Sequence, residues 1–340
     1  MSARTAIVIL NWNGEKFLRQ FLPTLMANTD SELARICIID NGSTDDSLSF
    51  VSCNFPQIQI VRLDQNYGFA GGYNRGLKDI EAEYFMLLNS DVEVGKDWIS
   101  PLVEIMDNDA SIGVCGPKLL DYNNRDKFEY AGAAGGYIDK YGYPFCRGRL
   151  FESLETDVGQ HDTLSDCLWI SGAALMIRSK LFFEVGGFDD DFFAHQEEID
   201  LCWRVQNYGY RVVCEPKSTI YHVGGGALPK SNPFKTFLNF RNNLYLIAKN
   251  LPDKEIGWVL FVRFFLDVIA AVRMIFQGNF KECKAVFRAY SAFLKNKRRM
   301  KQKRMSISRK PSSEIAGMYC GSIVFKHFLG KKQTSNEIFG

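Results

Sequence analysis

Acidic side chains stand where two short apolar runs end. Tyr84–Leu88 is five consecutive apolar residues that lead directly into Asn89-Ser90-Asp91, and the apolar run 36–39 leads into Asp40. Runs of this length suit strands covered on both faces and are far too short to span a membrane. In open α/β sheets ligands bind in the crevice at the carboxyl ends of the strands. Asn89 and Asp91 can therefore offer oxygen ligands to a hard cation such as Mg²⁺ or Mn²⁺, although a plainer reading makes Asn89-Ser90-Asp91 a turn that caps the next helix. The second acidic group is Glu197-Glu198-Ile199-Asp200, at the start of a helix marked by Ile199, Cys202 and Val205 and ended by Gly209. Acids there complement the helix dipole, with Asp200 and Arg204 as an i,i+4 surface pair. Phe192, Phe193 and Trp203 flank them, however, and a carboxylate beside bulky apolar groups can reach the basicity of a general base. His222 has the chemistry of a metal ligand, and Gly224-Gly225-Gly226 after it would let the loop close over a phosphate. A lone histidine is more often structural.

Strands alternating with helices must position these groups. Residues 5–10 form a strand, Asn11-Trp12-Asn13-Gly14 a polar turn, and Glu15–Ala27 a helix with apolar residues at Phe17, Leu18, Phe21, Leu22 and Leu25. The strand at 36–40 is followed by a helix from about Asp45, for which Ser43 or Thr44 is the predicted cap. A third strand, 58–63, precedes the glycine-rich stretch 68–76, where a helix start offers amide groups that favour phosphate. The fourth strand is 84–88. Further strands are expected at 112–119, 168–178 and 211–214, a short helix at 101–106, and another after Ser179 as its cap. Residues 121–165 are turn-rich and suit antiparallel hairpins covering the site. This order predicts an α/β, mostly parallel sheet with helices on both faces. Asp40 and Asp91 then end two strands at one edge, and with the glycine-rich helix start they suit a nucleoside diphosphate and its metal.

The composition, 46% hydrophobic and 24% charged over 340 residues, is that of a globular protein, and the net charge is +2. The charge is unevenly placed. Residues 281–340 carry 15 Lys and Arg against 3 Asp and Glu, which leaves 26 against 36 for residues 1–280. The basic and acidic parts should have different partners. Nine scattered cysteines without C-x-x-C spacing suggest neither a disulfide framework nor a zinc site. The apolar run near the N-terminus is too short for a signal-peptide core, so a cytoplasmic location is expected. Residues 256–276 are apolar but interrupted by Arg263, Asp267 and Arg273, which argues for interfacial helices over a span. The basic stretch 295–304 after them would attract anionic lipid headgroups; a merely solvated basic helix is the plainer alternative.

Asn11-Trp12-Asn13-Gly14, Asp40-Asn41-Gly42-Ser43-Thr44-Asp45, Asn66-Tyr67-Gly68-Phe69-Ala70-Gly71-Gly72-Tyr73-Asn74, Leu87-Leu88-Asn89-Ser90-Asp91, Gly186-Gly187-Phe188-Asp189 and Glu197-Glu198-Ile199-Asp200-Leu201-Cys202-Trp203-Arg204 occur in this order across residues 5–225. As a set they resemble the family 2 glycosyltransferases, and within them the rhamnosyltransferase-like bacterial enzymes. The resemblance implies a GT-A, Rossmann-like fold at 1–230, with a nucleotide half to about 117 and an acceptor half to 230. A helical, basic, membrane-associating extension is expected at 231–340. It implies inverting transfer of a sugar, with rhamnose a candidate, from a nucleoside-diphosphate donor to a glycan or lipid-linked acceptor in cell-surface polysaccharide synthesis. No nucleic acid partner is expected, and the location implied is the inner face of the cell membrane.

By the same resemblance Asp40 contacts the base or ribose, and Asn11, Asn66, Gly68, Gly71 and Asn74 wall the nucleotide. Asp91 holds a divalent Mg or Mn ion on the diphosphate, with His222 completing the metal site. Glu198, with Glu197 beside it, is the base; Trp169, Asp189 and His195 lie on the acceptor side. Two positions depart from the family pattern. Asn89 replaces the first aspartate of the D-x-D motif, as a neutral ligand or a contact to the nucleotide, and Glu198 replaces an aspartate, leaving open which of the two glutamates faces the acceptor. A catalytically silent nucleotide-sugar or partner-binding module is the alternative from another class. A sugar-1-phosphate nucleotidyltransferase is disfavoured, because no Arg/Lys-containing phosphate loop follows the first strand.

Overall fold

A computed structural model describes residues 4–224 and 232–339. Gly225 and Gly226, the glycines expected to close over a phosphate, lie outside the described residues. The first half alternates as predicted: β1 (Thr5–Asn11), α1 (Glu15–Ala27), β2 (Ala34–Asp40), α2 (Ser47–Asn54), β3 (Gln59–Arg62), α3 (Gly68–Gly76), β4 (Tyr84–Leu88), β5 (Val92–Val94), α4 (Ser100–Asn108) and β6 (Ile112–Asp121). Short strands β7 (Gly136–Asp139), β8 (Pro144–Cys146), β9 (Arg149–Leu150), β10 (Ser153–Leu154) and β11 (Ser165–Asp166) follow. Then come β12 (Ala174–Arg178), α5 (Ser179–Glu184), α6 (Glu197–Asn207) and β13 (Arg211–His222). The rest is mainly helical: α7 (Pro233–Asn250), α8 (Asp253–Phe276), α9 (Phe280–Met305), β14 (Met318–Tyr319), α10 (Ile323–Phe328) and α11 (Ser335–Phe339).

Among the described residues the main sheet runs β11-β13-β6-β12-β4-β1-β2-β3, with β5 pairing β13. Strands β4, β1, β2 and β3 are parallel, and β12 inserts antiparallel between β4 and β6. This is a mixed α/β sheet covered by two apolar clusters, one on each face. Residues 121–165 build a second sheet in the order β10-β9-β8-β7-β14, so the hairpins predicted there are joined by a strand from residues 318–319. That pairing links positions about 180 residues apart, which no local pattern discloses.

Four local expectations change. Ser43 and Thr44 do not cap α2: Ser43 Oγ accepts from the Asn13 amide at 3.0 Å, and the Thr44 amide donates to Asn13 Oδ1 at 2.8 Å, stitching the β1 and β2 turns together. Ser179 Oγ donates to the Ala82 carbonyl at 2.5 Å instead of capping α5. The strand expected over 168–178 begins only at Ala174, because backbone bonds of Leu168 and Trp169 with Gly136 fasten the preceding residues to the second sheet. Asp200 and Arg204 form an i,i+4 pair 2.9 Å apart, yet both are buried.

Candidate active site

Parallel pairing brings the polar ends of β1, β2 and β4 to one edge. Asn11 ends β1 opposite Asp40 at the end of β2, and Asn11 Nδ2 donates to Asp40 Oδ1 at 3.3 Å, Ser43 Oγ at 3.1 Å and Ser47 Oγ at 2.9 Å. Both are buried. Asn11 Oδ1 has no partner among the described residues, and a Cβ on Gly14 would come within 2.4 Å of it, so only glycine leaves this carbonyl its room. Asn41 Nδ2 bonds to Asn66 Oδ1 and the Gly68 carbonyl, each at 3.0 Å, which anchors the start of α3 to β2. The glycine-rich stretch serves packing as much as access. Side chains at Gly72 and Gly76 would collide with Leu10 and Ile39, and the spaces above Gly68 and Gly71 are bounded by Phe193 and Arg75. Asn74 is engaged at both ends of its amide, donating to the Phe188 carbonyl at 2.8 Å and accepting from the Phe188 amide at 2.9 Å.

At the end of β4, Asp91 Oδ1 lies 3.2 Å from His222 Nε2, and Asn89 Nδ2 is 3.5 Å from the same nitrogen. The pairing of β13 with β5 brings His222 opposite Val92 and so fixes this meeting. On the other side of the ring, Nδ1 is 3.4 Å from Glu129 Oε1. Burial alone would lower the imidazole's pKa, but the carboxylates of Asp91 and Glu129 outweigh it and raise it to about 10. Two adjacent ligands of an octahedral ion at about 2.1 Å are about 3 Å apart, so the Asp91–His222 spacing fits one divalent ion. Glu129 stands where a carboxylate orients a metal-binding histidine. Among the described residues no group of three or more His, Cys, Asp or Glu is arranged to enclose a metal. Two protein ligands suit an ion that takes the rest from substrate phosphates and water.

Glu197 and Glu198 open α6 beside this edge. A Cβ on Gly172 would sit 3.7 Å from the Glu198 Cβ and 3.4 Å from the Phe69 ring, and the next residue, Ala173, accepts the Asn89 amide at 2.9 Å. Glu198 is thus half-buried beside the end of β4. Burial raises its pKa to about 7, against the pull of backbone amides. Glu197 is buried, with Oε2 unpartnered; burial and the neighbouring Glu198 hold its pKa well above the carboxylate range. The approach to this pair is strained. Phe193, His195 and Gln196 all have φ between 64° and 70°, a conformation that costs non-glycine residues energy and persists only where surroundings impose it.

Those surroundings come from α7. Asn242, fully buried, donates to the carbonyls of Phe192, Ala194 and His195 at 3.0, 2.8 and 2.7 Å. Asn243 Nδ2 reaches Gln196 Oε1 at 3.2 Å, and Gln196 Nε2 donates to the Asn239 carbonyl at 3.1 Å. Of the residues expected on the acceptor side, His195 is half-buried in this loop, with its pKa lowered to about 4 by burial and Lys235. Trp169 and Asp189 are engaged elsewhere. The Trp169 indole is buried against Gly136 and donates to the Tyr137 carbonyl at 3.1 Å. Asp189 pairs with Lys249 at 2.5 Å and with Lys303, and these ammonium groups hold its pKa low despite its burial. Glu129, Gly172, Asn242 and Lys249 had drawn no attention in the sequence. The one available signal was Asn242-Asn243, adjacent amides within an otherwise amphipathic helix.

Residues 6–169 match the family model described as Glycosyl transferase family 2. Over those residues the chain is similar to the family 2 glycosyl transferases. It is 23% identical over 282 residues, 80% of this chain and 85% of the other, to the low-salt glycan biosynthesis hexosyltransferase Agl10 of Haloferax volcanii. It is 24% identical over 279 residues, 74% of this chain and 85% of the other, to an N-acetylglucosaminyl-diphospho-decaprenol L-rhamnosyltransferase of Mycobacterium tuberculosis. Its fold is similar to that of the mannosyltransferase PcManGT from Pyrobaculum calidifontis, solved in complex with GDP-Man and Mn²⁺. The TM-score is 0.52 at 12% identity, over 98% of this chain and 89% of that one. The resemblance to rhamnosyl- and hexosyltransferases read from the motifs is thus supported by comparisons that extend past the matched domain.

Proposed function

We propose that the protein transfers a hexose from a nucleoside-diphosphate donor to a hydroxyl of a glycan or lipid-linked acceptor during cell-surface polysaccharide synthesis, inverting the anomeric centre. The observation that carries this reading is one sheet edge holding both a carboxyl poised near pH 7 and an Asp–His pair spaced as two ligands of one ion. Asp91 and His222 would hold a divalent ion, Mg²⁺ or Mn²⁺, which would supply charge neutralisation for the leaving diphosphate. Asn11, Asp40, Asn66 and the start of α3 would line the nucleotide's side of the crevice, with Asn89 as a neutral polar group beside Asp91. Glu198 takes the proton of the attacking hydroxyl. A pKa near neutrality makes it both available as a base and strong enough to accept. Burial and the neighbouring Glu198 raise the pKa of Glu197, which favours its neutral form beside Glu198. Rhamnose as the sugar rests on the M. tuberculosis relative, and a lipid-linked acceptor at an anionic membrane surface rests on that relative and on the basic 281–340 segment. Retention of Asp91, His222 and the glutamate pair favours this reading over a silent binding module.

The test is transfer from dTDP-, UDP- and GDP-sugars to a membrane extract, with product anomericity read by NMR. Wild type should transfer from one donor class, and Glu198→Gln should slow transfer by about 10²–10⁴ while still binding the matching diphosphate. Transfer by Glu198→Gln at the wild-type rate would overturn the assignment of the base.

A further inference from the structure

Helix α8 carries an apolar face that none of the described residues covers. Trp258, Phe261, Phe265, Ile269, Val272 and Phe276 recur at steps of three and four residues, which places them in one stripe along the helix. All six are exposed, Trp258 by 63%, Ile269 by 64% and Phe276 by 86%. The opposite face, Val259, Arg263, Asp267 and Ala271, is buried. From Trp258 to Phe276 the one exposed ionisable residue of α8 is Arg273. Soluble surfaces rarely leave so long an apolar stripe bare without a partner.

The neighbouring helix indicates which partner. After the turn at residues 277–279, α9 packs Cys283 and Val286 against Ala271 and exposes Phe280, Phe287 and Leu294 at seven-residue spacing. Lys284, Arg288, Lys295 and Arg298 are exposed beside that second stripe. Aromatic and aliphatic side chains rimmed by cations are the chemistry of a helix lying in the interface of an anionic bilayer. No described helix is long and apolar enough to cross one.

We infer that the α8 stripe is the surface that enters the bilayer, with the α9 cations on anionic headgroups around it; this rests on the membrane partner of the proposed function and moves the main contact from the basic segment to α8. The stripe is also tied to the site. On the buried side of α8, Arg263 donates to Asn243 Oδ1 at 2.5 Å, and Asn243 in turn holds Gln196, the residue before the two glutamates. The face that docks and the loop that presents Glu197 and Glu198 are thus opposite sides of one packed unit. An acceptor anchored in the bilayer would meet the site without leaving the membrane.

The test is co-sedimentation of the full chain with phosphatidylglycerol-containing vesicles and with neutral phosphatidylcholine vesicles, for wild type and Trp258→Glu/Phe265→Glu. Both substituted side chains are exposed, so the variant should fold, and calorimetric binding of nucleoside diphosphate with Mn²⁺ reports an intact site. The inference predicts wild-type binding to anionic vesicles, at least tenfold weaker binding by the variant, and unchanged diphosphate binding. Equal vesicle binding by the variant would overturn the assignment to α8 while leaving a membrane role for the basic segment. Absence of wild-type vesicle binding would overturn the membrane reading too. If sizing shows a wild-type dimer that the variant dissolves, without vesicle binding, the stripe is an interface between copies and the inference fails.

Discussion

Glu197 and Glu198 separate two roles that adjacent identical residues could otherwise share. Both begin the same helix, but Glu197 points into the protein without a partner for Oε2, whereas Glu198 borders Gly172 and Phe69 at the crevice. If Glu198 is the base, its removal as Glu198→Gln should cost about 10²–10⁴ in the rate of transfer. The rate of wild type should rise with pH and level off above about 7, where the carboxylate is formed. A flat profile between pH 5.5 and 8.5 under chemistry-limited conditions would contradict that. Glu197 makes a stability prediction of definite sign. Its folded-state pKa lies above the unfolded value of 4.5, so above pH 4.5 the unfolded chain releases a proton that the folded one retains. Stability then falls as pH rises. Glu197→Gln cannot titrate, and its melting temperature should gain on wild type between pH 5 and pH 8; a difference that shrinks with pH would sink this account. The places of Asp91, the glutamate pair and His222 after a strand, at a helix start and at a strand end were legible in sequence because local pattern marks those ends. Glu129 was not, since it reaches His222 only through the path of the turn-rich region after β6.

At the scale of elements, α7 is what holds the loop at residues 192–196 in its strained form. Asn242 gives three carbonyls one amide group, and Arg241 adds bonds to the Asp191 and Phe192 carbonyls at 3.0 Å each. Asn242→Asp replaces donors by an acceptor facing those carbonyls. It should lower transfer by about 10², the scale of an ångström's misplacement of a catalytic group, with little change in diphosphate binding measured by calorimetry. Equal loss of both would indicate general unfolding. A second tie lies about two turns further along α7, where Lys249 sits between Asp189 at 2.5 Å and Asp200 of α6 at 2.8 Å. Lys249→Met leaves Asp189 to Lys303 and Asp200 to Arg204, so it should destabilise the fold by less than the about 3–5 kcal/mol of a fully stranded buried charge, read from denaturant unfolding. Helix α1 was readable because its buried residues recur at helical spacing, and β1, β2 and β4 because they are short, nearly continuous apolar runs. The tie between α6 and α7 was not, because it depends on single polar residues, Asn242 and Lys249, inside helices whose periodicity reports only a buried face.

Across the whole molecule, acidic and basic parts meet instead of standing apart. Lys303 and Arg299 of α9 pair with Asp189 and Asp191 next to the catalytic loop, and Arg304 with Asp253 of α8. Much of the positive charge of residues 281–340 is therefore left for outside partners only on the outer side of α9. Charge counts located the asymmetry, but not which cations are engaged within the fold. Every role proposed here depends on a donor bound across Asp91 and His222, and one measurement bears on that most directly. UDP, GDP and dTDP are titrated calorimetrically into wild type and Asp91→Ala, with Mn²⁺ and with EDTA. The account predicts that one diphosphate binds wild type in Mn²⁺ and is weakened at least tenfold both by EDTA and by the substitution. Binding indifferent to metal and to Asp91, or no binding to wild type under any condition, would contradict it.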